Sequence, residues 1–535
     1  MVQRSEQITS PVKSFVRRCK QRKFRRKVSD TMGTELTGGE LLARTLILRQ
    51  LLRRHVLSDE EMYVGVLLPS SAGGVVTNMA ISLDQRVAVN LNFTLLSDVM
   101  NVCIAQCGIK HILTSRKFME RVNLDINAEL VFLEDLANEA TLSDKLAAAF
   151  QAYIMPAPAL EQQLALDAID PDDVLAIIFT SGSTGIPKGT MLTHANIASN
   201  VDAANEIIQL RPTDVLLGIL PLFHSFGYTL SMWTVMQLDI GGAYHVSPLE
   251  SIKVGELCQT FGGTILLATP SFLRAYLRRC TREHFATLDA VLVGAEKLPV
   301  QLSNAFEEKF RVRPIEGYGC TETSPLISAN VPPNRSRGID AVERKEGTVG
   351  RPVPGIKTRV TDQATGEVLG TGEQGMLWVK GPNVMKGYLG QPEVTAEVIH
   401  DGWYRTGDVV EVDEDGFIRI VGRESRFAKI LGEMVPLDGV EDVVNEVIGI
   451  REDEGIKASV TAVPGAKGEH LIVIHTALEK SPGAIRKALF QSGKPPVWIP
   501  SADSFYQVDE LPMLGSGKLD HKGVHQIAVS IFEAV

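Results

Sequence analysis

The segment Ile178-Phe-Thr-Ser-Gly-Ser-Thr-Gly-Ile-Pro-Lys-Gly189 leaves an apolar stretch, Leu175-Ala-Ile-Ile-Phe179, and enters a run of glycines, hydroxyls and one lysine. A buried strand opening directly into such a loop is a cradle for an anion. Glycine lets the backbone approach closely and turn its N–H groups inward, Thr180, Ser181, Ser183 and Thr184 add hydroxyl donors, and Lys188 adds charge. Gly182 and Gly185 supply the turns. The loop is not a Walker sequence, because five residues beyond Gly182 stands Pro187 and Lys188 is followed by Gly189. Nor does it carry the glycine spacing of a dinucleotide fingerprint.

Outward from this segment, short apolar runs alternate with longer helical patterns. Val64–Leu68, Val215–Ile219, Thr264–Ala268 and Ala290–Val293 are almost unbroken in apolar residues. Strands read this way when helices cover both faces of a parallel sheet, so the expected class is α/β with layered sheets. From about residue 347 to 422 the texture changes to dense turn signals around short strands such as Met376–Val379, which predicts a β-rich subdomain. Beyond residue 423 a smaller α+β pattern follows, with Val460–Val463 and Leu471–His475 as strands. The expected organisation is a large domain over 1–422 and a small, mobile C-terminal domain over 423–535.

With 535 residues, 44% apolar and 22% charged, the chain is far too long for one core and too apolar for disorder. A net charge of −10 argues against a nucleic-acid binder. The six cysteines lack a zinc spacing and read as core thiols of a cytoplasmic protein. Val215–Leu238 carries no Asp, Glu, Lys or Arg, yet Pro221, His224 and Gly227 interrupt it, so it reads as a buried strand, loop and helix rather than a membrane span. A basic run from Lys13 to Lys27, interleaved with Phe15, Val16 and Phe24, reads either as a solvated helix face or as a patch drawn to anionic lipid at the inner face of a membrane. No apolar core of signal-peptide length follows it.

The loop resembles the signature of the acyl-adenylate-forming ligases: acyl-CoA synthetases, luciferases and the adenylation domains of peptide synthetases. The resemblance continues, in family order, along almost the whole chain. Gly317-Tyr-Gly-Cys-Thr-Glu322 is similar to the second family signature; there Tyr318 stacks on adenine beside Gly319, Thr321 meets phosphate and Glu322 holds Mg²⁺. The resemblance likewise implies that Gly294, Ala295 and Glu296 line the adenine and acyl pockets, that Asp408 of Tyr404-Arg-Thr-Gly-Asp408 takes the ribose hydroxyls, and that Arg423 contacts ribose. His224 falls where the family places a histidine or aromatic beside the substrate carboxylate. Lys518, in Leu514-Gly-Ser-Gly-Lys518, falls at the adenylation lysine, and Ser425 and Arg426 fall at the hinge in place of the frequent Lys-Asp pair. Two half-reactions are implied: ATP, Mg²⁺ and a carboxylate give acyl-AMP, and the small domain then turns to admit a thiol.

A narrower resemblance follows from Asn92-Phe-Thr94, Pro221–Gly227, Phe427-Ala-Lys-Ile430 and Gly432-Glu-Met-Val435. These are similar to the long-chain acyl–acyl-carrier-protein synthetase half of bifunctional lysophospholipid acyltransferases. It implies a fatty acid as substrate and the 4′-phosphopantetheine of acyl carrier protein as acceptor, with coenzyme A as the alternative. Carrier proteins are acidic, whereas beyond residue 424 acidic residues outnumber basic ones here. One HxxxxD pattern, His284 to Asp289, is the signature of an acyltransferase, but it runs into the strand Ala290–Val293 and reads as a chance match. The competing classes are therefore a thioester-forming ligase, a lipid acyltransferase and a binding module without chemistry.

Overall fold

The computed structural model describes residues 10–180, 187–336, 342–430, 433–449, 456–465, 468–513 and 519–533. By packing the chain forms two compact units, Met1–Lys357 with Val379–Tyr404, and Thr358–Trp378 with Arg405–Val535. The class is α/β, as expected from the runs of apolar strands.

The first unit holds two large sheets. One orders its strands Gly387–Tyr388, Lys188–Thr193, Val174–Thr180, Val87–Asn90, Tyr63–Val66, His111–Thr114 and Glu129–Phe132. Its central strands are parallel. Alternation explains their continuous apolarity: Val64, Val66 and Ala88 pack on one face, while Val87, Val89 and Ile112 pack on the other. The second sheet runs Arg351–Pro352, Leu326–Ala329, Pro314–Gly319, Ala290–Val293, Ile265–Ala268, Val215–Gly218, Gly241–Tyr244, Arg26–Asp30 and Glu35–Thr37. The uncharged stretch after Val215 is this sheet's strand, a loop, a π-helix Phe226–Trp233 and a short helix Thr234–Gln237. No helix among the described residues is long and apolar enough to cross a membrane.

The structure corrects the solvated-face reading of the basic run. Pro11–Gln21 is a helix whose Phe15, Val16 and Cys19 are fully buried, and most of its cations hold the large unit together. Arg17 makes a bidentate pair with buried Glu161 at 2.7 and 2.8 Å. Arg22 donates to Asp239 at 2.5 Å and to the Pro212 carbonyl. Lys20 donates to the Gln151 carbonyl at 2.6 Å, and Lys27 to the carbonyls of Leu238 and Ile240 at 2.6 and 2.9 Å. Burial pushes the Lys27 ammonium down to about 7. A basic stretch ends up inside because carbonyl ends and carboxylates from distant segments converge on it.

The second unit centres on a three-stranded sheet, Ala458–Gly465, Gly468–His475 and Phe505–Gln507. Leu471 and Val473 face helices Leu437–Ile448 and Pro482–Gln491, whereas Ile472 and Ile474 face helix His521–Glu533. A strand covered on both sides can spare no polar position, which is why Leu471–Ile474 is wholly apolar. The strands Trp403–Val412 and Ile418–Arg423 form a hairpin that opposes Asp408 to Arg423.

Candidate functional site

Strand Val174–Thr180 pairs antiparallel with Lys188–Thr193, and Thr180 lies opposite Lys188 at the base of this hairpin. Ser181, Gly182, Ser183, Thr184 and Gly185 lie outside the described residues, as does Lys518. The edge strand Gly387–Tyr388 pairs with Thr190 and Met191, and this brings the Tyr388 ring under the Lys188 ammonium, 5.0 Å from nitrogen to ring centroid. The Tyr388 hydroxyl donates to Glu322 Oε1 at 2.8 Å. Burial, with the Glu322 carboxylate next, pushes this phenol well above its ordinary range, so it stays a donor at any working pH.

Glu322 lies in the 3₁₀ turn Thr321–Thr323 at the end of strand Pro314–Gly319. Asn200 and Asn383 fix the chain that follows, each donating to the carbonyls of Thr323 and Leu326. Gly319 is required here: a Cβ would sit 1.8 Å from the Pro325 carbonyl oxygen. Thr321 Oγ1 lies 3.2 Å from Ser225 Oγ, so the turn meets the loop before the π-helix. In that loop the Phe226 N–H donates to His224 Nδ1 at 3.3 Å, which places the imidazole proton on Nε2. A Cβ on Gly294 would come within 3.4 Å of the Phe226 ring and 3.5 Å of the Gly317 carbonyl. Lys188, Tyr388, Glu322, Thr321, Ser225 and His224 are thus linked by contacts or by adjacency in the chain at the ends of several strands, where α/β sheets bind ligands.

Among the described residues no group of three or more His, Cys, Asp or Glu side chains could hold a metal ion. Magnesium nevertheless fits the turn, because it takes hard oxygen ligands and usually only one or two protein carboxylates beside the phosphates it bridges. Glu322 is such a carboxylate.

A family comparison bears on this arrangement: the model of the AMP-binding enzyme family matches residues 15–389. The chain belongs to that family. Among relatives of this AMP-binding enzyme, a long-chain-fatty-acid–CoA ligase of Bacillus subtilis is 31% identical over 370 residues, 66% of this chain and 62% of that protein. One from Salmonella typhimurium is 31% identical over 305 residues, 56% of this chain and 52% of that protein. The matched regions thus span between half and two thirds of these relatives' lengths. The fold of the AMP-binding enzyme superimposes on ATP-bound MatB from Rhodopseudomonas palustris with a TM-score of 0.79 at 23% identity, covering 97% of this chain and 99% of that one. It superimposes on Bacillus subtilis o-succinylbenzoate CoA synthetase, solved with its acyl-adenylate, with a TM-score of 0.78 at 23% identity, covering 95% and 96%.

Other residues singled out in the AMP-binding enzyme's sequence have structural partners. Glu296 accepts from the Ser271 hydroxyl at 2.8 Å and its N–H at 3.2 Å, capping helix Pro270–Arg279, while Ala295 before it is left-handed at φ 69°. Tyr318 is buried next to Gly319. In the second unit, Arg423 Nε lies 3.2 Å from buried Asp408 Oδ1. Arg426 is anchored by Asp438 at 2.7 Å, Glu441 at 3.1 Å and the Val460 carbonyl at 2.7 Å. The HxxxxD residues are also engaged: Asp289 pairs with Arg335 at 2.6 Å, and His284 Nδ1 accepts from the Thr281 N–H at 3.1 Å.

Sequence reading missed Tyr388, Ser225 and Glu316. Tyr388 depends on an edge-strand register almost two hundred residues from the hairpin, and Ser225 on a contact between two loops, so neither leaves a local signal. Glu316 stands immediately before the second signature; burial raises its carboxyl to about 7, while its Oε1 accepts from the Leu298 N–H at 3.0 Å. A charged residue within an apolar strand, Pro314-Ile-Glu316, was the available clue.

Proposed function

We propose that this chain activates a long-chain fatty acid with ATP, forming acyl-AMP and pyrophosphate, and then transfers the acyl group to the thiol of coenzyme A. The observation that carries the reading is the contact chain Lys188–Tyr388–Glu322, continued through Thr321 and Ser225 beside His224. It sets a cation, a carboxylate and hydroxyls around one point at the base of a glycine-rich hairpin, within a chain of the AMP-binding family. In this reading Lys188 and the hydroxyls of the glycine-rich segment bind the phosphates, and Glu322 would hold Mg²⁺, which would supply neutralising charge to them. Tyr388 keeps the Glu322 carboxylate oriented. His224, with its proton on Nε2, presents a donor to the substrate carboxylate. Lys518 neutralises charge that builds as the carboxylate attacks the α-phosphate. Asp408 and Arg423 take the ribose. The segment beyond Arg426 then turns about Arg423–Ser425, and the anchoring of Arg426 to Asp438 and Glu441 supports a pivot on its N-terminal side.

The relatives from Bacillus subtilis and Salmonella typhimurium are fatty-acid ligases of coenzyme A, which supports that acceptor over the carrier protein that the narrower resemblance implies. A long chain is favoured by apolar walls, at about 0.8 kcal/mol per buried methylene. The test is pyrophosphate exchange into ATP with the purified chain, with and without palmitate, followed by thioester formation with coenzyme A or with phosphopantetheinylated carrier protein. Palmitate-dependent exchange and a coenzyme A thioester are expected. Absence of exchange sinks the activity, and a thioester with carrier protein alone sinks the acceptor.

A further inference from the structure

Helix Leu142–Tyr153 is amphipathic the wrong way round. The side it turns inward is small: Ala148 and Ala152 are buried, together with Asp144, which is neutralised by Arg54 at 2.8 and 3.1 Å. The side it turns outward is large and apolar. Leu142 is 72% exposed, Leu146 63%, Phe150 52% and Ile154, just past its end, 69%. These four recur every fourth residue, so they form one ridge rather than scattered surface positions. An ordinary surface helix places such side chains in the core. A contiguous exposed apolar ridge marks a contact surface.

The ridge continues onto Phe24, 75% exposed, whose ring lies 5.8 Å from that of Tyr153. Cations border it. Lys145 is exposed on the helix itself, Lys23 donates to the Tyr153 carbonyl and lies over the Phe24 ring, and exposed Arg25, 3.5 Å from Asp239, follows in sequence. Among the acids beside it, Asp144 is committed to Arg54, Glu40 to the Thr37 cap and Asp239 chiefly to Arg22. A row of leucine, isoleucine and phenylalanine edged by lysine and arginine is the chemistry of a helix lying in a lipid interface.

We propose that the Leu142–Ile154 ridge with Phe24 docks on an anionic lipid bilayer, the apolar side chains entering the headgroup boundary and Lys23, Arg25 and Lys145 meeting lipid charge. The partner is chosen by charge complementarity. The chain as a whole is acidic, at −10, so this local cationic edge decides the preference. The surface is distinct from the nucleotide residues, and the proposal stands whatever acid or thiol the site uses.

Co-sedimentation of the full chain with vesicles of phosphatidylcholine, with and without 30% phosphatidylglycerol, tests it. Wild type binds the anionic vesicles, and Leu146→Gln with Phe150→Gln lowers the partition coefficient about a hundredfold, as expected for two large apolar side chains withdrawn from lipid. Arg25→Gln with Lys145→Gln lowers binding to anionic vesicles about tenfold or more and leaves neutral vesicles unaffected. All four positions are exposed, so pyrophosphate exchange and the melting temperature in the absence of lipid stay at wild-type values. The proposal is overturned by wild type that stays in the supernatant with anionic vesicles, or by apolar variants that bind as well as wild type. Sedimentation velocity showing a dimer that the apolar variants dissolve, with vesicle binding unchanged, assigns the ridge to a second copy of the chain and also overturns it.

Discussion

The hydroxyl of Tyr388 is donated to Glu322 Oε1 at 2.8 Å, and the same ring lies beneath the Lys188 ammonium. One aromatic side chain therefore touches both the cation and the carboxylate of the site. Tyr388→Phe keeps the ring and removes the donor. A hydrogen bond to a charged group contributes about 1.5–3 kcal/mol, so pyrophosphate exchange is expected to fall roughly ten- to a hundredfold. Exchange at the wild-type rate refutes an orienting role for this hydroxyl.

Lys518→Ala separates the two half-reactions. Adenylate formation falls by about 10²–10³ or more, because one preorganised charge is lost from the transition state. Thioester formation from supplied acyl-AMP stays near wild type. Quenched-flow measurement of both steps decides the assignment, and equal loss of both contradicts it.

Glu316 gives a pH signature. Its folded value, about 7, lies above that of the unfolded chain because burial disfavours the charged form. The folded state therefore holds this proton more tightly, and stability contributed by the neutral carboxyl is lost as pH rises from the unfolded value through about 7. Glu316→Gln, which keeps an acceptor for the Leu298 N–H, is expected to gain about 3 kcal/mol of stability over wild type at pH 8, with the difference vanishing near pH 4. Urea titrations at both pH values check it.

Arg426→Gln strips the guanidinium from Glu441, whose carboxyl burial already raises. Leaving a buried charge without its partner costs about 3–5 kcal/mol, so the second unit should unfold earlier in a thermal scan. The penalty shrinks toward low pH, because Glu441 can then take up a proton. A deficit that is the same at pH 5 and pH 8 places the loss elsewhere.

Several features were readable because their causes are local. A strand covered on both faces must be apolar throughout, and Val64–Val66, Ile265–Ala268 and Leu471–Ile474 announce themselves for that reason. The apolar run Leu175–Phe179 announces the strand that leads into the glycine-rich segment, whereas Lys188, read as part of the loop, stands in the returning strand. The rest depended on distant partners. The run Lys13–Lys27 looks like a solvated face until Glu161, Asp239 and the carbonyls near 151 and 238 are brought to it. Helix Leu142–Tyr153 defeats hydrophobic periodicity altogether, since its strongest apolar stripe points away from the core.

The pairing of Arg22 with Asp239 spans 217 residues, and Lys27 waits on carbonyls almost as remote. At ribosomal speeds of roughly 5–20 residues per second, about 10–40 s separate the synthesis of the two halves of this clasp. Phe15, Val16 and Cys19 lack the part of their cover that comes from helix Thr234–Gln237 throughout that interval. Birth of the molecule therefore includes a period when a sticky, cationic ribbon stands without its receptor, and holdase chaperones that favour basic-apolar stretches have a ready client there.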